Sequence, residues 1–67
     1  MDGFAERLKE LREEKNLSQV EFAKIIGVTH SAVSLWELKK RVPAFDVAVV
    51  IARFFNVSLE YLAGMED

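Results

Sequence analysis

The chain contains no cysteine, a single proline, three glycines and a single histidine. Without cysteine there is no disulfide staple and no thiolate metal site. His30 alone cannot build a metal centre, so neither a metal nor a cofactor is expected. So few prolines and glycines leave long uninterrupted stretches, which favours helices. No run of about 18 apolar residues occurs, so no segment is expected to span a membrane. The opening stretch MDGFAERLKE carries charges of both signs and no apolar signal core, so no secretory peptide is expected. No nucleophile–base pair, metal cluster or phosphate loop is present, and the chain is not expected to be an enzyme. What is present is 51% hydrophobic residues, well above the content of a disordered segment. Residues 1–67 therefore read as one small, cytoplasmic, all-α domain, near the lower size limit for a single core.

The net charge of −2 argues weakly against a nucleic-acid partner. Local charge matters more than the sum. Glu6, Glu10, Glu13 and Glu14 crowd the first segment, whereas Lys39, Lys40 and Arg41 form the one basic run. A cationic edge on an acidic protein is the result.

Phe4, Leu8 and Leu11 recur at helical spacing and predict a helix from about Gly3 to Lys15, with Asp2 as its N-cap and Asn16 as a left-handed stop. Ser18 followed by Glu21 is a capping box, and Leu17 with Phe22 fits a hydrophobic staple. A second, short helix is therefore expected from Ser18, with Phe22, Ile25 and Ile26 as its apolar face and Gly27 as its C′ residue. Thr29 can cap a third helix of about ten residues, in which Val33 and Trp36 share one face. The break Gly27-Val28-Thr29 fits a tight helix-turn-helix corner. Pro43 is expected in the first turn of a fourth helix. Asn56, Val57 and Ser58 break that helix, Ser58 caps a last short one, and Gly64 ends it.

Two short helices joined by a glycine turn in a bundle of about five already suggest DNA binding. In that arrangement the second helix points its first turn at base edges in a major groove. The stretch Leu17-Ser18-Gln19-x-Glu21-Phe22-Ala23-x-x-x-Gly27-Val28-Thr29-x-x-x-Val33-Ser34-x-Trp36-Glu37 resembles the phage-repressor type of helix-turn-helix, the XRE or Cro-like family. Pro43 and the segment Asn56-Val57-Ser58-Leu59-Glu60-Tyr61-Leu62 also look like that family, so the resemblance covers nearly the whole chain. It implies a compact, lambda-repressor-like bundle with the motif at about 18–38. It also implies a transcriptional regulator, typically a repressor, that binds a palindromic operator on double-stranded DNA as a homodimer.

Residue by residue, the resemblance implies that Gln19 contacts a phosphate at the start of the second helix. It places His30, Ser31, Ser34 and Leu35 at positions that face the groove. None of the four makes the bidentate base contacts of Arg, Asn or Gln, so modest readout per subunit is expected, with water and DNA shape helping. Lys39, Lys40 and Arg41 follow the recognition helix at the DNA-facing rim, where cations position the protein on phosphates. Arg12 and Glu37 match a family ion pair that ties the first helix to the end of the third.

Two departures from the pattern stand out. Lys39 occupies a position where many members have a left-handed glycine. Either the helix runs on, or the strain of positive φ, roughly 1 kcal/mol, is accepted. The fourth helix also shows two apolar faces. Phe45, Ala48, Ile51, Ala52 and Phe55 form the family's usual core face, and Val47, Val50 and Phe54 form another. Either the first helix with Leu59, Tyr61 and Met65 covers this second face, or it is a subunit or partner interface. The second option supports an alternative reading, an antitoxin-like or regulatory subunit that binds a partner protein through the fourth helix.

Overall fold

Short side chains at the helix starts and left-handed residues at the helix ends set the boundaries of this fold. The structure is a computed structural model and describes residues 3–66. It contains five helices, α1 (Phe4–Glu14), α2 (Gln19–Ile26), α3 (His30–Glu37), α4 (Phe45–Phe55) and α5 (Leu59–Leu62). No strand occurs among the described residues, and no helix is long and apolar enough to cross a membrane. Asp2, the expected cap of the first helix, lies outside the described residues. Gly3 holds the N-cap position there and makes no side-chain bond.

The other caps form as their residue types dictate. The Ser18 hydroxyl accepts from the Glu21 N–H at 3.0 Å, and the Glu21 carboxylate accepts from the Ser18 N–H at 2.8 Å. The Thr29 hydroxyl accepts from the Ala32 N–H, and that of Ser58 from the Tyr61 N–H. Gly27 closes α2 at φ +79°. A methyl group there would meet nothing within 4 Å, so the glycine is needed for its backbone alone. Asn16 and Asn56 take the same left-handed conformation after α1 and α4. So does Lys39, at φ 65°. The third helix therefore does not run on: it has eight residues, and the strain is accepted in the turn.

Phe4, Leu8, Phe22, Val33, Ile51 and Leu62 are fully buried at the centre of the bundle. Each such side chain contributes roughly 1.5–3 kcal/mol relative to exposure. Trp36 lies edge-on to Phe4, with ring centroids 6.4 Å apart, and thereby fixes α3 on α1. Ala23, 2% exposed, keeps the α2–α3 crossing close.

Three expectations need correction. Phe45 is not on the core face of α4 but 75% exposed. As the first residue of α4 it borders a shallow apolar cleft of about 350 Å³ with Pro43, Leu59 and Met65. Pro43 is not in the first turn of α4. It lies ahead of the N-cap, Ala44, and is buried as a wall of that cleft. The first turn is served instead by Asp46, whose carboxylate accepts from the Val47 N–H at 3.0 Å. Ile25 is half exposed, because the short α2 turns only Phe22 and Ala23 fully inward.

The two ends of the described segment meet. The Gly3 N–H donates to the Ala63 carbonyl at 3.3 Å, and Arg7 donates to the Glu66 carbonyl at 3.2 Å. The Arg7 guanidinium also lies 4.0 Å from the centre of the Tyr61 ring. Gly64, at φ +79°, sits so close to Gly3 that a methyl group on it would lie 2.5 Å from the Gly3 Cα.

Candidate nucleic-acid interface

The corner between α2 and α3 holds the chemistry. Val33 and Trp36 are turned into the core and anchor α3, and Val28 packs against the core within the turn. That leaves His30 and Ser31 exposed in the first turn of α3, with Ser34 and Leu35 half-buried one turn on. Spacings of three and four residues place Ser31, Ser34 and Leu35 along one strip of the helix.

The last residue of α3, Glu37, forms a buried ion pair with Arg12. The Arg12 Nε donates to Glu37 Oε2 at 2.8 Å and its Nη2 to Glu37 Oε1 at 3.0 Å, a two-pronged contact between α1 and α3. The Arg12 Nη1 donates to the Leu17 carbonyl at 2.8 Å, which pins the start of the motif to the same guanidinium. Both side chains are largely buried, 10% and 6% exposed. The hydrogen bond to Glu37 raises the Arg12 pKa further, so its charge is permanent.

Gln19 joins this pair. Its Nε2 donates to Glu37 Oε1 at 3.0 Å, and its Oε1 lies 3.2 Å from Nε2 of His30. A hydrogen-bonded chain thus runs from Arg12 in α1, through Glu37 and Gln19, to His30 at the outer surface. Gln19 is half-buried, and its amide nitrogen has a second hydrogen beyond the one given to Glu37.

Lys39, Lys40 and Arg41 are all exposed beyond the end of α3. The backbone N–H groups of Lys40 and Arg41 donate back to the Leu35 carbonyl at 2.9 and 3.3 Å, which holds the basic run against α3. The Lys39 ammonium forms an ion pair with Glu6 of α1, and this contact holds the Glu6 carboxyl below its ordinary pKa. Neither the Glu6 contact nor the link from Gln19 to Glu37 is signalled by sequence spacing, because each joins residues far apart in the chain.

The second apolar face of α4 is not one continuous surface. Val47 and Phe54 pack against the core, and Val50 is 47% exposed. Phe54 lies against Phe22 and Phe55, with ring centroids 6.0 and 5.0 Å away, and the Lys15 ammonium sits 5.5 Å above its ring. Its cover therefore includes α2 and the end of α1. Met65 is 77% exposed.

Residues 8–62 match the family model described as helix-turn-helix. The chain is 31% identical over 64 residues to YobD, an uncharacterized HTH-type transcriptional regulator of Bacillus subtilis, covering 96% of this chain and 57% of that protein. It is 36% identical over 64 residues to the HTH-type transcriptional activator BcrR of Enterococcus faecalis, covering 96% of this chain and 31% of that protein. An uncharacterized HTH-type transcriptional regulator of Archaeoglobus fulgidus is 34% identical over 61 residues, covering 91% of this chain and 87% of that protein. The chain spans about half the length of YobD and about a third of BcrR. No solved structure gives a significant match. The capped α2, the glycine corner, the anchored α3 and these relatives agree, and the chain belongs to the XRE-type helix-turn-helix family of DNA-binding transcriptional regulators.

Proposed function

We propose that this chain is a sequence-specific reader of double-stranded DNA, a repressor that docks α3 in the major groove and binds a palindromic operator as a homodimer. The observation that carries this reading is the exposed first turn of α3, with His30 and Ser31 presented on a helix anchored by Val33 and Trp36. Ser31, Ser34 and Leu35 supply adaptable hydrogen bonds and an apolar contact for a thymine methyl. Gln19 keeps one N–H for a phosphate at the N-terminus of α2, where the helix dipole favours an anion. Lys39, Lys40 and Arg41 supply contacts that position without specifying.

Two copies are needed for geometric reasons. The longest dimension of the chain is 27 Å, and it carries one such helix. Half-sites one turn apart are about 34 Å distant. The exposed Phe45, Met65 and Val50 offer apolar surface for self-association. A partner protein at α4 is the competing use of that surface. A DNA reader of this kind works in the cytoplasm.

The test is selection from a random duplex pool at moderate salt. We expect enrichment of a palindrome with half-sites one turn apart. Binding that shows no preference and vanishes as salt rises would sink the proposal and reduce the rim to plain electrostatics. A reporter fused to the selected site gives the sign of regulation, expected to be repression.

A further inference from the structure

We propose that Gln19 fixes the position of the proton on His30, and that His30 thereby selects an amino base (adenine or cytosine) over a keto base (guanine or thymine) on the strand it faces. The selection half rests on reading α3 as the recognition helix. The fixing of the proton does not.

The argument starts at Arg12. Its guanidinium only donates, and it takes both oxygens of Glu37. The carboxylate of Glu37 only accepts, so the group that Gln19 turns toward it is the amide NH2. The Gln19 oxygen is then the atom that faces His30. An amide oxygen also only accepts, so Nε2 of His30 must carry a hydrogen. In a neutral imidazole the other nitrogen then holds a lone pair. Nδ1 of His30 has no protein partner among the described residues. The exposed ring therefore offers the groove an acceptor whose character is dictated from the buried end of the chain, three side chains away. In the major groove, adenine N6 and cytosine N4 donate, whereas guanine O6 and thymine O4 accept. One such bond gives a preference of roughly five-fold.

His30 is the only histidine, so its two ring nitrogens give an unambiguous pair of 15N signals. They are measured in the free protein at about pH 8. Wild type is expected to show hydrogen on Nε2 alone, and Gln19→Ala a mixture of both tautomers. In duplex selection, wild type is expected to prefer adenine or cytosine roughly five-fold at one position per half-site. Gln19→Ala is expected to bind more weakly at every sequence, because its phosphate contact goes too, and to lose that preference relative to those at the other positions, whereas His30→Arg, a pure donor, turns it to guanine. An unchanged tautomer ratio in Gln19→Ala overturns the fixing of the proton. A keto preference in wild type, or an amino preference retained in Gln19→Ala, overturns the readout. Loss of all sequence preference in wild type overturns the selection together with the recognition-helix reading, and the tautomer ratio separates that failure from a failure of the Gln19 link.

Discussion

Arg12 and Glu37 show what a single contact does when water is kept away. Their guanidinium and carboxylate meet at 2.8 and 3.0 Å, and Leu17 and Gln19 supply further bonds. Removing one partner leaves a buried charge unpaired, which costs about 3 kcal/mol. Arg12→Ala should therefore lower the thermal midpoint by on the order of 10 °C, measured by circular dichroism. An unchanged midpoint would show that the pair contributes nothing. Lys39 and Glu6 are the opposite case, since both are exposed and water screens them. The folded Glu6 pKa is lowered by Lys39, and that of Glu21 by the Ser18 cap. A depressed carboxyl contributes stability that is present above its unfolded pKa and lost as pH falls through the folded value. Both groups should titrate below the ordinary carboxylate range in carbon NMR, and Lys39→Ala should move Glu6 alone back toward it. The Arg12–Glu37 pair was legible only through the family resemblance, because nothing local in the chain joins the two. The partners of Lys39 and Gln19 were not legible at all, since charge and amide groups carry no address beyond the few residues on either side.

At the scale of helices, what could be read from sequence is what acts within four residues. Ser18, Thr29 and Ser58 cap as their types dictate, and Gly27, Asn16 and Asn56 stop helices as expected. The rotation of α4 was less legible. Its spacing grouped Phe45 with Ala48, Ile51, Ala52 and Phe55, yet Phe45, the first residue of α4, stands largely in solvent at the edge of the cleft it shares with Leu59 and Met65. Where a helix starts relative to its neighbour is a tertiary fact that periodicity does not contain. The same limit hid the role of Gly64. Gly27→Ala should cost about 1 kcal/mol, from positive φ alone, because a methyl group there meets nothing. Gly64→Ala carries the same backbone cost plus a collision with the Gly3 backbone and should cost roughly 3 kcal/mol. Chemical denaturation of the two variants checks the order. Equal losses would mean that the Gly3–Gly64 contact opens freely.

For the whole molecule, a net charge of −2 is compatible with a DNA partner because three of the nine basic residues, Lys39, Lys40 and Arg41, stand consecutively beyond α3. Apolar surface is likewise uneven. Among the described residues Phe45 and Met65 are the most exposed large apolar side chains, and they border the same cleft. If two copies associate through that end of the bundle, Phe45→Glu should keep the helical spectrum and melting midpoint of the wild type while reducing self-association. Sedimentation velocity reads this directly, and an unaltered dimer would move the interface elsewhere, with Val50 as the next candidate.

The contact between Gly3 and Gly64 gives the fold the topology of a ring with one seam. The Gly3 N–H already bonds to Ala63, and Arg7 bridges to Glu66. A few residues of linker across that seam would close the backbone into a circle without disturbing a helix. The circle could then be cut at the exposed stretch after α3, to give a permuted chain in which α4 comes first and the α2–α3 corner last. Such a chain would keep the contacts between helices described here and change only the order in which the chain makes them.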